Sequence, residues 1–216
     1  MLMNKNEVKK TNFKTEQELF WSGKFGVDYI DRNDSDKIIS SNLSLFSKII
    51  SNTKNIKSII ELGANIGLNL QAINYLLPNI EMSAVEINEI AANKLKQNNN
   101  IKVYNESILE FKTKQKYDFV LSKGVLIHIN PEKLNQIYDM MYEVSNKYIC
   151  IVEYYNPSPI AIDYRGNKNK LFKRDFAGEI LDKFGNKILL LDYGFIYHRD
   201  NCFPGDDFTW FLLEKI

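Results

Sequence analysis

The run Ser58-Ile-Ile-Glu-Leu-Gly-Ala-Asn-Ile-Gly67, followed at Ser83-Ala-Val-Glu-Ile87 by a second apolar run ending in an acid, constrains the fold more than any other stretch. Ile59, Ile60 and Leu62 read as a buried strand that breaks at Gly63 into a turn and opens into a helix at about Gly67. Gly63 can take a backbone conformation closed to other residues, and it lets the chain approach a ligand closely. Asn65 tolerates positive φ better than most residues, and the following helix aims free N–H groups at whatever sits over the turn. Leu68 to Leu77, closed by Pro78, reads as that helix. Glu86 stands 23 residues after Gly63, at the tip of the next strand. A carboxylate there can accept hydrogen bonds from both hydroxyls of a ribose. The unit reads as a nucleotide cradle. It is not the dinucleotide fingerprint, which wants a glycine where Asn65 stands and another farther on, and this disfavours a nicotinamide-dependent oxidoreductase.

At 216 residues the chain fits one domain able to bury about two-thirds of its unfolded surface. We expect one unit over residues 1–216, with 1–52 as lid and helices and 156–175 as a substrate-binding insertion. The 28 Lys and Arg against 27 acids leave no global field to draw in nucleic acid or an anionic membrane. Cys150 and Cys202 form no C-x-x-C pair and there are only 2 His, so no metal site is expected. Met1 to Thr15 is polar, with no apolar core of signal-peptide length, and nothing later approaches a membrane span. A soluble cytoplasmic protein is the expectation.

Thr15-Glu-Gln-Glu18 is a capping box that starts a short helix through Trp21, and Gly23 to Gly26 ends it. Phe20, Trp21, Phe25 and Tyr29 make this segment aromatic, suited to cover a ligand cleft. Ile39, Leu43, Phe46 and Ile50 give Asp36 to Asn52 an amphipathic helical face. Asn88 caps a helix through about Asn98, and Ile101 to Tyr104 is a short strand. Tyr117 to Ile129 is a buried fourth strand running into a loop, with Lys123 and Gly124 at its carboxyl end; Asn130-Pro131 caps the next helix. Tyr148 to Tyr155 is a fifth strand with Glu153 and two tyrosines at its mouth. Asn156 to Lys173 reads as irregular, Phe176 to Phe184 as a helix, and Leu189–Tyr197 and Phe208–Glu214 as an antiparallel hairpin. Tyr164 to Asp175 holds five cations (Arg165, Lys168, Lys170, Lys173, Arg174) and one acid, and two of the chain's four arginines. The planar arginine fork suits a carboxylate or phosphate in two-point contact.

Five stretches together carry a resemblance: Trp21-Ser-Gly-Lys-Phe-Gly26, Glu61-Leu-Gly-Ala-Asn-Ile-Gly67, Lys123-Gly-Val-Leu-Ile-His-Ile129, Phe172-Lys-Arg-Asp-Phe-Ala-Gly-Glu179 and Asp206-Asp-Phe-Thr-Trp-Phe-Leu-Leu-Glu-Lys215. Over nearly the whole chain they resemble the pseudaminic-acid-biosynthesis-associated methylases, within the class I S-adenosylmethionine-dependent methyltransferases. The resemblance implies an α/β, Rossmann-like fold: a mostly parallel seven-stranded sheet with a terminal antiparallel strand and helices on both faces. It implies S-adenosyl-L-methionine as cofactor, with S-adenosyl-L-homocysteine as product. The cofactor would lie against Glu61, Gly63, Ala64, Asn65, Gly67, Glu86, Ile87, Ser107, Ile108 and Lys123, with Glu106 near the adenine amino group. The acceptor it implies is a nonulosonic sugar or its nucleotide-activated form, methylated on N or O and held by Tyr29, Tyr155, Tyr164, Arg165, Lys173 and Arg174.

Methyl transfer from a sulfonium asks the protein to position two reactants, exclude water and remove a proton. His128, Glu153 and Asp175 are the candidate bases, His128 first. Two other readings compete: a methyltransferase for an unrelated acceptor, and a non-catalytic module that keeps the fold to bind the nucleotide.

Overall fold

The computed structural model describes residues 13–32 and 36–216, so the polar stretch through residue 12 lies outside the described residues. Among the described residues there are nine strands: β1 (Ser58–Leu62), β2 (Glu81–Val85), β3 (Ile101–Tyr104), β4 (Tyr117–Lys123), β5 (Ser145–Glu153), β6 (Ile160–Tyr164), β7 (Asn167–Lys173), β8 (Ile188–Phe195) and β9 (Thr209–Lys215). The helices are α1 (Glu16–Ser22), α2 (Lys24–Arg32), α3 (Asp36–Ile50), α4 (Leu68–Leu76), α5 (Glu89–Leu95), α6 (Leu134–Val144) and α7 (Phe176–Phe184). Seven strands form one sheet in the order β3-β2-β1-β4-β5-β9-β8. β1 to β5 pair in parallel, while β9 runs antiparallel between β5 and β8. This is the α/β, Rossmann-like arrangement expected, with the last strand in sequence as the antiparallel one.

Burial follows residue type. β4 is covered on both sides except at Lys123, as a central parallel strand must be. The long helices turn an apolar stripe inward: Leu134, Ile137, Tyr138, Met141 and Val144 on α6, and Leu45, Phe46 and Ile49 on α3. Asn42 also lies on the inward face of α3, 3% exposed. Strand order reverses direction at β1 and β4, and open α/β sheets bind ligands outside the carboxyl ends of the strands at that point. Among the described residues no helix is long and apolar enough to cross a membrane.

Two stretches differ from the sequence expectations. Gly23 ends α1, but a second helix, α2, follows at once. Lys24 pairs with Asp28 one turn on at 2.8 Å, and Gly26 faces the Trp21 carbonyl so closely that an added Cβ would lie 1.9 Å from its oxygen. Asn156 to Lys173 is not irregular: β6 and β7 form a separate antiparallel pair closed by Arg165 and Gly166, both at positive φ. Alternation in this stretch is weak because most of its side chains face solvent.

Candidate functional site

A cavity of about 420 Å³ opens at the carboxyl ends of β1 and β4, walled by residues from the turns after β1, β2, β3 and β4, from α1 to α3, from the β6–β7 turn and from the segment before β9. Its first wall is the glycine turn. Gly63 (φ 72) and Asn65 (φ 50) are left-handed, which lets the N–H groups of Gly63 and Ala64 both reach the Val85 carbonyl, at 2.8 and 3.1 Å. Gly63 also packs under Val125, 2.6 Å from where its Cβ would stand. Gly67 (φ 85) caps α4 and shapes the turn without lining this cavity.

Glu86, 7% exposed, braces the turn. Its carboxylate accepts from the N–H of Asn65 at 2.7 Å and from that of Asn88 at 2.7 Å. Burial holds its pKa above the ordinary carboxylate value, against the pull of those N–H groups. Asn105 donates to the Glu86 carbonyl at 2.8 Å, tying the third turn to the second. Ile87, Ser107 and Ile108 all face the cavity. Glu106 does not. The Ser107 hydroxyl accepts from Leu109 N–H, which turns the buried side of the loop inward and leaves Glu106 partly exposed beside Glu110.

Unpartnered buried polar atoms gather here. They are Gln17 Oε1, Trp21 Nε1, Asn42 Nδ2 and Asn69 Oδ1, all on residues that line the cavity, and Glu61 Oε2, whose carboxylate accepts from Asn69 Nδ2. A buried polar atom without a partner costs about 1–3 kcal/mol, so the convergence of the first four on one cavity marks the place of a ligand that supplies both donors and acceptors; Glu61 lies behind Asn69 and does not line the cavity. Burial pushes the Glu61 carboxyl up to about 8, with Asn69 and Lys123 pulling down. The folded state therefore holds a proton that the unfolded chain releases near 4.5, and stability should fall as pH rises from about 4.5 to 8, by at most about 1.4 kcal/mol for each pH unit crossed. Thermal unfolding across that window should show the decline, and Glu61→Gln should flatten it.

On the other side of the cavity stand Trp21, Tyr29, His128, Tyr154, Tyr164, Arg165, Asp206 and Phe208, together with Lys123. His128 packs against Trp21 and Tyr164, with ring centroids 4.6 and 4.9 Å away. Its Nδ1 meets the Lys170 carbonyl. A carbonyl only accepts, so Nδ1 carries the proton and Nε2 keeps its lone pair. Burial lowers the His128 pKa to about 4, and the ring is neutral at neutral pH. Burial pushes the Tyr29 phenol up, and that of Tyr154 up to about 12. Burial lowers the Lys123 pKa while Asp206, Glu61 and Glu153 pull it back.

Several residues singled out in the sequence are engaged elsewhere. Glu153, 2% exposed, accepts from the Ser122 hydroxyl and from the N–H groups of Val125, Leu126 and Ile127. It ties β5 to the turn after β4, three of these donors meeting Oε1 and one Oε2, and it does not line the cavity. Asp175 caps α7, accepting from Gly178 N–H at 2.8 Å. Arg174 pairs with Glu179 at 2.7 Å, and Glu179 also accepts from Tyr138 at 2.6 Å. Lys173 lies over the Tyr154 ring at 4.5 Å, behind the cavity wall. Tyr155 turns away toward Phe211. Of the basic stretch, only Tyr164 and Arg165 reach the cavity. Conversely, Gln17, Asn42, Asn69 and Asp206 escaped sequence reasoning as site residues, while Tyr154 is one of the two tyrosines expected at the mouth of β5. Asp206 stood in a recognisable motif, whereas the buried amides carried no local signal.

Among curated protein sequences none matches the chain. Solved structures that it resembles include the magnesium protoporphyrin IX methyltransferase ChlM of Synechocystis with bound SAM, at a TM-score of 0.65 and 13% identity over 95% of this chain and 100% of that one. Another is the 1,6-didemethyltoxoflavin-N1-methyltransferase of Burkholderia thailandensis with bound 1,6-didemethyltoxoflavin and S-adenosylhomocysteine, at 0.67 and 14% over 88% and 85%. A third is the plantazolicin methyltransferase BpumL with SAH, at 0.63 and 14% over 92% and 93%. The fold is that of the class I methyltransferases. The family model described as tellurite resistance protein TehB matches residues 26–178, most of the chain including the glycine turn, Glu86 and the β4 loop, and the protein belongs to that family.

Proposed function

We propose that the protein is a cytoplasmic S-adenosylmethionine-dependent methyltransferase whose acceptor is an anionic nonulosonic sugar or its nucleotide-activated form. The observation that carries the cofactor part is the set of unpartnered buried atoms around the glycine turn. Asn69 Oδ1, on a residue that lines the cavity, is an acceptor for the α-ammonium, with Glu61 behind it holding the Asn69 amide, and Glu86 is the acceptor we assign to the ribose hydroxyls. When bound, S-adenosylmethionine supplies an electrophilic methyl group on a sulfonium. The chain's own residues do the rest. α1 and α2 wall the cavity against water, and the Lys170 carbonyl fixes the His128 tautomer so that Nε2 can take the proton leaving the acceptor's oxygen or nitrogen. Held by four donors and not lining the cavity, Glu153 is not proposed as the base, nor is Asp175, which caps a helix.

His128→Asn keeps a donor for the Lys170 carbonyl and removes Nε2. It should lower kcat about 100-fold or more, with cofactor affinity unchanged; an unaltered kcat would remove His128 from the reaction. The acceptor half of the proposal rests on the resemblance and on Arg165, which lines the cavity at a tight turn, its guanidinium 5.9 Å from the Tyr164 ring. Arg165→Ala should raise the acceptor KM about 10-fold or more, the worth of a charge-assisted contact, whereas Arg174→Ala should act on stability alone. Incubation with labelled S-adenosylmethionine and a panel of free and nucleotide-linked nonulosonic acids tests the whole reading. Label transferred only to an uncharged or unrelated acceptor rejects the sugar, and cofactor binding with no transfer to any acceptor favours a binding module.

A further inference from the structure

Gln17 is the one buried residue of α1 whose polar side chain is half satisfied. It is 4% exposed. Its Nε2 donates to the Asn169 carbonyl at 3.0 Å, which fixes the amide's orientation because a carbonyl cannot donate. Oε1 is thereby turned the other way, an acceptor without a partner on a residue that lines the cavity. A ligand in the cavity with a donor to offer would satisfy it.

The place of α1 says which part of the ligand. Lys14, just before the helix, pairs with Glu110, three residues past Ser107. At the other end the Asn88 amide donates to the Trp21 carbonyl at 3.2 Å. The helix thus spans the gap between the turn after β3 and the turn after β2. Thr15 and Glu18 line the same cavity as Ser107, Ile108, Leu109 and Ile87. A nucleoside whose ribose sits on Glu86 must place its base in that gap. Tyr154 and Asp206, on the acceptor side, come from beyond β5, three strands from β2 in the sheet.

Elimination gives the group. The donors of S-adenosylmethionine are two ribose hydroxyls, the α-ammonium and the adenine 6-amino group. On the reading above, Glu86 serves the hydroxyls, and Asn69 Oδ1, on a residue that lines the cavity, serves the ammonium. Glu106, the acid that the sequence offered for the amino group, does not line the cavity.

We propose that Gln17 Oε1 accepts a hydrogen bond from the adenine 6-amino group, so that the amino-terminal helix, and not the loop after β3, selects adenine over other purines. The assignment rests on the S-adenosylmethionine reading above. Hypoxanthine separates the two, because its C6 oxygen would face Gln17 Oε1, acceptor against acceptor, while ribose and amino-acid contacts stay the same. Calorimetry with S-adenosylhomocysteine and S-inosylhomocysteine is the test, on the wild-type protein, Gln17→Met and Gln17→Glu. The wild type should prefer the adenosyl ligand by about 10-fold or more, the worth of one buried hydrogen bond. Gln17→Met should lose adenosyl affinity while keeping inosyl affinity, collapsing that preference. A helix merely displaced by loss of the Asn169 anchor would weaken both ligands equally. Gln17→Glu keeps an acceptor toward the cavity but sets its second oxygen against the Asn169 carbonyl; it should weaken both ligands yet retain the preference, and it serves also if the methionine variant fails to fold. In Gln17→Met, equal losses for both ligands or an unchanged preference overturn the assignment. A wild-type protein that binds neither ligand overturns the cofactor reading itself.

Discussion

Glu153→Ala should lower the unfolding free energy by about 3–5 kcal/mol, the cost of leaving partners of a buried charged group unpaired. Four donors converge on that carboxylate: the Ser122 hydroxyl at 2.9 Å, the N–H groups of Val125 and Leu126 at 3.0 Å each, and that of Ile127 at 3.4 Å. The three N–H groups belong to the turn that carries Val125 against Gly63 and His128 into the cavity. Losing their acceptor should therefore loosen the site as well as the fold. Burial pushes the Glu153 carboxyl up to about 7, with these donors pulling down. A raised folded pKa means that its contribution is complete below about 4.5 and declines as pH climbs through 7. Glu153→Gln, which keeps one acceptor oxygen, should lose less and remove that decline. Chemical denaturation at pH 5 and pH 8 measures both effects, and an alanine variant within about 1 kcal/mol of wild type would show that the turn is held by other means.

Glu86→Ala should weaken S-adenosylhomocysteine binding by about 1.5–3 kcal/mol, roughly 10- to 150-fold. The carboxylate has two duties. It holds the Asn65 and Asn88 N–H groups at 2.7 Å each, keeping the turns after β1 and β2 in register, and it offers its remaining lone pairs to the ribose. Alanine removes both, so a measurable loss of stability should accompany the loss of affinity. Glu86→Gln retains one acceptor oxygen but presents its NH₂ to either Asn65 or Asn88, donor against donor, and should fall between. Titration calorimetry reads the affinities directly. Unchanged affinity in Glu86→Ala would move the ribose away from Glu86 and unsettle the assignment of Gln17 with it.

The basic stretch Tyr164–Asp175 shows how composition misleads when partners are unseen. As a sequence it offers five cations for one acid. In the fold, Arg174 is neutralised by Glu179, Lys170 by Glu16 at 2.9 Å, and Lys173 rests over Tyr154. Only Arg165 is delivered to the cavity, by a turn whose left-handed residues, Arg165 and Gly166, sit at its tip. The same hairpin fastens α1 and the loop after β4 together: Asn169 holds Gln17, and the Lys170 carbonyl holds His128.

Whatever depends on near neighbours could be read along the chain. The turn from Gly63 to Gly67, the helix caps at Thr15 and Asn88, and the strands β1 to β4 are set by apolar period, conformational freedom and side-chain bonds spanning two to four residues, and each is legible in a short window. Glu86 was legible too, since a βαβ unit fixes where the second strand ends. Which polar groups are spent and which stay free is a matter of packing. Glu153 was a candidate base until the turn 26 to 31 residues away engaged its carboxylate, and Asp175 until its own helix claimed it. Gln17 became a candidate only because its amide is split between Asn169, 152 positions away, and the cavity. A side chain's chemistry is set by which partners remain after packing, and those partners are chosen by contacts across the sheet and lid that no local pattern encodes.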